Sequence, residues 1–237
     1  MQEHSINRLT IDWTMFRASV FGQASAAQTI ADTYPAIRVA LGLLGDGHSS
    51  YRSAANSIQR AIMSADRDDL IGWMVDVRGN GGGNMWPMVA GVGPVLGEGV
   101  IGYFIGPTGA AIPWEYRDGA SWVNGLVQQR VDGPYRLRRD RPRVAVLTDN
   151  GIASSGEATV IAFRGRPDTR SFGDATCGLS TSNSSFTLSD GALLNLTTMV
   201  MADRTRTKYG DSIPPDEIVR DPDQAVQRAL AWLQSGN

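Results

Sequence analysis

The chain holds two histidines, His4 and His48. His4 lies near the amino terminus, whereas His48 lies in the loop GDGHSS, directly after a predicted helix. Functional side chains are often carried by loops that rigid elements hold in place. Because an imidazole titrates near neutral pH, His48 is the candidate general base.

Serine is common in the sequence, so position has to select among the candidates. Ser154 and Ser155 follow the apolar run VAVLTD (144–149) and the loop NGIASS, at the start of a predicted helix. Open parallel sheets hold their ligands at the carboxyl ends of strands. The free N–H groups and the dipole of a helix start stabilise an oxyanion there. Ser154 is therefore the candidate nucleophile, and helix capping by either serine is the structural alternative.

The loop RGNGGGN (78–84) is the third feature that could do chemistry. Its glycines allow a backbone to approach a ligand closely, with N–H groups pointing inward. Such a loop could supply half of an oxyanion hole or hold a peptide carbonyl or a phosphate. The phosphate interpretation is weak, because neither the dinucleotide pattern GxGxxG nor a Gly-Lys-Ser/Thr is present.

Other hydrolytic chemistries lack their residues. An α/β-hydrolase needs a GxSxG elbow with a histidine after the serine, but Ile152 stands at the first glycine position and no histidine follows His48. Two histidines and one cysteine are too few for a usual zinc site, and no HExxH occurs. The sequence therefore predicts a Ser-His enzyme with neither metal nor cofactor.

The elements that position these residues follow from the spacing of apolar residues. Up to about residue 65 the spacing is helical, and after residue 70 short apolar runs alternate with loops and predicted helices. This pattern predicts an α/β fold with a mostly parallel sheet and crossover helices. We expect an N-terminal helical segment, 1–65, that carries the His48 loop, and a core, 66–237, that ends in a helix. A hairpin is predicted over 184–200, with its turn at 189–191.

Composition excludes several classes of protein. The net charge is −2 and no basic stripe is present, so we expect no nucleic-acid partner. Cys177 is the only cysteine, which excludes an intrachain disulfide, and we expect it to be buried. No apolar run is long enough to cross a bilayer. The first residues lack the apolar stretch of a signal peptide, which fits a cytoplasmic protein or a secreted or periplasmic one whose export signal was removed.

Five segments together resemble the S41 serine peptidases, a family of carboxyl-terminal processing (tail-specific) proteases, tricorn core proteins and nisin-resistance-type peptidases. They are GDGHSSY, VDVRGNGGGN, VAVLTDNGIASSGEAT, FGDATCGLST and IPPDEIV, in the order of the family. The resemblance spans about residues 30 to 220. It implies a crotonase/ClpP-like core with the small N-terminal helical subdomain in front of it.

The resemblance assigns roles by position. Ser154 takes the nucleophile position, Ser155 supplies the following oxyanion-hole amide, and Gly82 or Gly83 supplies the second amide. The processing proteases carry a lysine 25 residues after the serine, where this chain has Gly178-Leu179-Ser180. The absence of that lysine favours the His-based branch of the family, and the Gly-Gly-Asn-Met and Ala-Ser-Ser-Gly-Glu pieces most resemble the nisin-resistance-type peptidases.

These residues predict a serine peptidase of the endopeptidase or carboxyl-terminal type, acting on peptides or proteins. The acid that orients His48 is Glu157 by first choice, with Asp46 and Asp211 as rivals. Asn84, Met85 and Trp86 follow the glycine loop and are the candidate substrate-groove residues. Two alternatives stay open: an inactive S41-like module that binds a peptide, and a Ser-dependent esterase or acyltransferase. A thiol enzyme that uses Cys177 is a distant further alternative.

Overall fold

The computed structural model describes residues 1–3, 5, 7–28, 33–44 and 54–236. Within these residues six helices and ten strands form. The helices are α1 (Trp13–Ala24), α2 (Tyr34–Leu44), α3 (Ala54–Ala65), α4 (Met85–Leu96), α5 (Ser155–Phe163) and α6 (Pro222–Gln234). The strands are β1 (Trp73–Asp76), β2 (Gly99–Ile105), β3 (Ala111–Arg117), β4 (Ala120–Val123), β5 (Leu126–Arg130), β6 (Val144–Thr148), β7 (Thr169–Gly173), β8 (Thr181–Thr187), β9 (Leu193–Asp203) and β10 (Glu217–Ile218).

The smaller sheet is parallel and carries the predicted buried strands. Its order is β1-β6-β7-β10, and every neighbouring pair is parallel. All five residues of β6 are buried. Alternate side chains of β6 point to opposite faces: Val144 and Val146 join the main core, while Ala145 and Leu147 pack against α6. The sheet is therefore covered on both faces, as parallel sheets require.

The larger sheet is antiparallel, with the order β5-β4-β3-β2-β9-β8, so the prediction of a mostly parallel sheet was wrong. The reason lies in two turns. Asp118-Gly119 joins β3 to β4 and Asn124-Gly125 joins β4 to β5, and all four residues have a positive φ. Two-residue turns of this kind are typical of hairpins, whereas parallel strands need long crossovers. The α/β class was predicted correctly.

The hairpin predicted over 184–200 is confirmed as β8 and β9, which are antiparallel neighbours. Its turn is closed by hydrogen bonds from the Gly191 N–H to the Leu188 carbonyl and from the Leu188 N–H to the Ala192 carbonyl. Most of β8 and the first half of β9 are exposed, whereas the last three residues of β9 are buried. The hairpin thus projects from the sheet that holds its base.

The main core lies between the two sheets, around α4 and α5. Helix α3 packs into it through Ile62 and through Gln59, whose Nε2 donates to the Ala90 carbonyl at 2.8 Å. Helices α1 and α2 pack on each other in a separate small cluster, which includes Phe16 and Leu44. The boundary at residue 65 stays a prediction. None of the helices in the described ranges is long and apolar enough to cross a membrane.

Gly93 permits α4 to approach β3, and we expect this contact to be essential for stability. A Cβ at Gly93 would lie 1.9 Å from Cε2 of Tyr116, which is 3% exposed. Gly93→Ala should therefore lower the free energy of unfolding by about 1–3 kcal/mol or more. Gly22→Ala in α1 is the control, because open space surrounds Gly22, and it should raise that free energy by about 0.4–1 kcal/mol. Urea unfolding followed by circular dichroism measures both, and changes of the same sign would contradict the expectation.

Candidate active site

Ser154 lies between strand β6 and helix α5, in a backbone conformation that serine rarely adopts. Its φ is 51° and its ψ is −113°. These angles match the first central residue of a type II′ turn, a position that glycine favours. A non-glycine residue held there costs on the order of 1–3 kcal/mol, and such residues cluster at functional sites. The turn thus presents Ser154, which is half-buried, at the N-terminus of α5.

Ser155 differs from Ser154 in its environment. It is 8% exposed, and its hydroxyl donates a hydrogen bond of 2.6 Å to the Gly83 carbonyl. Its side chain therefore fastens the glycine loop to the first turn of α5. Ser154 is the N-cap of α5 and forms a capping box with Glu157, so the capping alternative is observed at Ser154. Among the described residues, the Ser155 hydroxyl is engaged as a donor, whereas the Ser154 hydroxyl donates to no protein acceptor.

The glycine loop lies directly against residues 149–156, which we name the nucleophile turn after the candidate nucleophile Ser154. The Ala153 N–H donates to the Asn80 carbonyl at 3.0 Å. A Cβ at Gly156 would lie 2.1 Å from that same carbonyl oxygen, and a Cβ at Gly82 would lie 3.1 Å from the Cβ of Ser154. Only glycine at 82 and 156 allows the two segments to meet at these distances. The sequence segments 78–84 and 149–156 therefore form one site.

Asp149 joins the same two segments at their outer end. Its Oδ1 accepts from the Gly79 N–H and from the Gly151 N–H, both at 3.0 Å. Next to it, the Asp76 carboxylate accepts from Nε of Arg78 at 2.9 Å and from NH2 at 2.7 Å. The hydrogen bond from Arg78 lowers the pKa of Asp76 and raises that of Arg78. Arg78 also donates to the Pro222 carbonyl, which attaches the start of the glycine loop to α6.

Of the three candidate oxyanion amides, one has an acceptor among the described residues and two have none. The Gly82 N–H donates to Oδ1 of Asn80 at 3.1 Å. Across the part of the chain that the structure describes, neither the Ser155 N–H nor the Gly83 N–H has a protein acceptor. The Ser155 N–H belongs to the first turn of α5, where the helix dipole favours negative charge. This arrangement can stabilise an oxyanion that forms beside Ser154.

Glu157 is fully buried, and its carboxylate is surrounded by donors. Oε2 accepts from the Ser154 N–H at 2.9 Å and from the Leu179 N–H at 2.7 Å. Oε1 accepts from the Thr176 hydroxyl at 2.6 Å and from the Gly178 N–H at 2.9 Å. A buried carboxylate needs such partners because its desolvation is costly. Glu157 therefore connects the backbone of Ser154 to the segment that follows β7.

Thr176 extends this connection to the segment before β10. Its Oγ1 also accepts from the Ile213 N–H at 2.9 Å. Farther along that segment, the Asp216 carboxylate accepts from the N–H and the hydroxyl of Ser171 and forms an ion pair with Arg164 at the end of α5. The segments FGDATCGLST and IPPDEIV, which carry part of the family resemblance, are thus hydrogen-bonded to each other and to α5. Residues 174–180 of the first segment form a loop between β7 and β8. Neither Thr176 nor Asn80 was predicted as a site residue, although both stand in the motifs that carry the family resemblance.

The three residues after the glycine loop begin helix α4. Asn84 is its N-cap, and Oδ1 of Asn84 accepts from the Trp86 N–H at 3.1 Å. Met85 is 6% exposed and belongs to the main core. Trp86 is partly buried, and its ring meets the edge of Phe104 at a centroid distance of 6.4 Å. Their role in binding a substrate stays a prediction.

The remaining predicted residues differ in where they lie. His48, with its rival partner Asp46, lies outside the described residues. Asp211 is exposed, and its carbonyl accepts from the buried Ser180 hydroxyl at 2.7 Å. Cys177 is exposed, so the prediction that it is buried was wrong; it lies in a loop, and its N–H donates to the Ile152 carbonyl. Among the described residues no group of three or more His, Cys, Asp or Glu side chains could hold a metal ion.

The model of peptidase family S41 matches residues 47–219. The chain belongs to peptidase family S41. It is 31% identical over 173 residues to the nisin-resistance protein of Lactococcus lactis subsp. lactis, over 73% of this chain and 52% of that protein. The chain therefore spans about half the length of this curated relative. The family resemblance predicted from the five segments is confirmed.

Solved structures share the fold of this S41 chain. A lipoprotein from Streptococcus agalactiae superposes with a TM-score of 0.60 at 22% identity, covering 95% of this chain and 89% of that one. The photosystem II D1 C-terminal processing protease superposes with a TM-score of 0.52 at 18% identity, covering 75% of this chain and 43% of that one. At these identities the likeness concerns the fold alone.

We expect the fold of the S41 core to depend on the charge of Glu157. Glu157→Gln replaces one acceptor oxygen by an NH2 group that faces N–H and O–H donors. Because unsatisfied buried donors cost about 1–3 kcal/mol each, the free energy of unfolding should fall by about 2–4 kcal/mol. Glu98→Gln is the matched control, since the Glu98 side chain is 48% exposed, and it should change stability by less than about 0.5 kcal/mol. Urea unfolding measures the free energy of unfolding of both variants. Equal, small changes in this free energy would contradict the expectation.

Proposed function

We propose that this S41 chain is a serine peptidase with Ser154 as the nucleophile and His48 as the general base. The observation that carries the proposal is the backbone of Ser154, which is held at φ 51° where β6 gives way to α5. Membership of peptidase family S41 supports the same conclusion. The amides of Ser155 and of the loop glycines Gly82 and Gly83 are the candidate oxyanion donors.

The proposed reaction is acyl transfer to serine followed by hydrolysis. His48 takes the proton of the Ser154 hydroxyl while Oγ attacks the carbonyl carbon of the scissile peptide bond. The carbonyl oxygen becomes an oxyanion that the backbone N–H groups stabilise. The C–N bond then breaks, and the leaving amine takes the proton from His48. Water, deprotonated by His48, attacks the carbonyl carbon of the acyl-enzyme. His48 then returns this proton to the Ser154 oxygen as the acyl C–O bond breaks, which releases the carboxylic acid and free Ser154.

We assign Glu157 a positioning role in this reaction. Its carboxylate holds the N–H of Ser154, and it does so from a fully buried place with four donors around it. These contacts fix the turn that presents the nucleophile. The acid that orients His48 stays a prediction, with Glu157, Asp46 and Asp211 as the candidates.

The proposed substrate is a peptide or protein, cleaved internally or near its carboxyl end. Asn84 and Trp86 are the candidate groove residues, because they lie at the start of α4, directly beside the glycine loop in the chain. Met85, the third candidate of this group, packs in the main core. Mass-spectrometric mapping of the products from a peptide library identifies which bonds are cleaved.

The proposed nucleophile can be tested by covalent labelling. A fluorophosphonate probe should label the protein, and Ser154→Ala should abolish the labelling because the attacking oxygen is gone. Ser185→Ala is the control; Ser185 lies in the exposed strand β8, and its hydroxyl donates to Asn195. His48→Ala should slow labelling by about 100-fold or more, since a general base contributes about 10²–10⁴ in rate. Equal labelling of wild type and Ser154→Ala, read by intact-protein mass spectrometry, would exclude this nucleophile.

The same experiment separates the two alternative functions. A protein that binds peptides without cleaving them would bind the library and resist the probe. An esterase or acyltransferase would react with the probe through Ser154 and turn over ester substrates while leaving peptides intact. Peptide cleavage that is lost in both Ser154→Ala and His48→Ala supports the peptidase.

A further inference from the structure

The Gly82 N–H is already occupied by a side chain of its own loop. Oδ1 of Asn80 accepts from it at 3.1 Å, two residues along the chain. Asparagine commonly closes a turn in this way, by accepting from a backbone N–H two residues on. The Asn80 carbonyl accepts at the same time from the Ala153 N–H of the nucleophile turn. Gly82 can therefore donate to an oxyanion only if this bond to Asn80 breaks.

The Gly83 carbonyl is also occupied, by a side chain from the opposite segment. The Ser155 hydroxyl donates to it at 2.6 Å from a site that is 8% exposed. Ser155 thus carries both the hydroxyl that fastens the glycine loop and an N–H that has no acceptor among the described residues. The separation between the Ser155 N–H and the loop is consequently fixed by the Ser155 side chain itself.

Between these two bonds lies the peptide group that joins Gly82 to Gly83. Its N–H, that of Gly83, has no protein acceptor among the described residues. Gly83 has a φ of 111°, a conformation that side chains rarely allow, and a Cβ there would meet no atom within 4 Å. Among the described residues, the Gly83 N–H is therefore an unpaired donor in a loop with open space beside the Gly83 Cα.

We propose that Asn80 and Ser155 are positioning residues that select the Gly83 N–H, together with the Ser155 N–H, as the oxyanion donors and exclude the Gly82 N–H. The inference rests on the proposed function, because it concerns the same reaction. Neither side chain touches the reacting atoms. They act by holding the loop in the geometry that the oxyanion needs before it forms.

Loss of the Ser155 hydroxyl should affect the transition state more than substrate binding. Ser155→Ala keeps the Ser155 N–H but releases the glycine loop. A misplacement of about 1 Å can cost about 100-fold in rate, so we expect kcat to fall about 10- to 100-fold while KM changes less than about threefold. The rate of fluorophosphonate labelling should fall by a similar factor, because the phosphoryl oxygen needs the same donors.

Thr159→Val is the matched control for Ser155→Ala. Thr159 lies one turn further along α5, is 4% exposed, and its hydroxyl donates to a backbone carbonyl, that of Ser155. It removes a buried hydroxyl from the same helix without releasing the glycine loop. The labelling rate of Thr159→Val should stay within about threefold of wild type, since the Ser155 N–H and the glycine loop keep their places in this variant. Equal rates for Ser155→Ala and wild type would overturn the proposal.

A second pair of variants tests the other bond and does not depend on Ser155. Asn80→Ala removes the acceptor of the Gly82 N–H and should slow labelling about 10-fold or more. Asn80→Ser should recover part of the rate, because a serine hydroxyl can accept from the N–H two residues on, though more weakly than asparagine. Equal rates for Asn80→Ala and Asn80→Ser, in variants whose circular dichroism matches wild type, would count against the positioning role even if Ser155→Ala fails to fold.

The proposal and the proposed function fail in different ways. If wild type does not label at all, the serine-hydrolase function is wrong and the positioning roles fall with it. If wild type is labelled at Ser154, and Ser155→Ala and Asn80→Ala are labelled as fast as wild type, the function stands and the assignment of the donors is wrong. Slow labelling of both variants, with Thr159→Val unchanged, supports the assignment.

Discussion

A buried carboxylate constrains the whole of the candidate site. Glu157 has no contact with solvent, so its charge has to be met by donors that the chain supplies. Those donors come from the nucleophile turn itself and from the segment 176–179, which follows β7 in the chain. Through Thr176 the constraint extends to Ile213. The geometry of Ser154 is consequently set by residues that are distant in sequence.

The glycine loop meets this turn from the other side, and the two contacts complement each other. The backbone of Asn80 and the hydroxyl of Ser155 hold the loop, while Glu157 holds the turn. Glycine at 82 and 156 allows the approach, since a Cβ at either position would strike backbone atoms. An active site held in this way loses little time or free energy in arranging its donors when a substrate arrives.

Much of the local structure could be predicted from the sequence. The apolar run 144–149 and the loop after it identified β6, α5 and Ser154, because a buried strand followed by a helix is a strong local signal. Helix α4 forms over Met85–Leu96 despite its glycines and prolines, since tertiary burial overrides weak propensity. The antiparallel sheet was not predicted, although Asp118-Gly119 and Asn124-Gly125 are sequences typical of two-residue hairpin turns. The hydrogen bonds of Glu157 could not be predicted, because they depend on long-range pairing.

The exposed state of Cys177 illustrates a second limit of sequence reasoning. Its neighbours are apolar or small, which favoured burial, yet the loop turns its side chain outward while its N–H binds the Ile152 carbonyl. Residue type predicts burial well inside regular elements, where the side chains alternate or recur at a fixed period. In a loop no such period exists, and the local backbone hydrogen bonds set the direction of each side chain. The direction of a loop side chain is therefore a property of the folded chain.

The backbone conformation of Ser154, the proposed nucleophile, lowers the stability of the fold. Glycine would occupy φ 51° and ψ −113° without steric cost, so replacing the serine should make the protein harder to unfold as it silences the chemistry. A protein that only binds peptides would gain stability from glycine at position 154 and would lose no activity. If Ser154 is the nucleophile that we propose, the strain at this turn is stability that the fold gives up for reactivity.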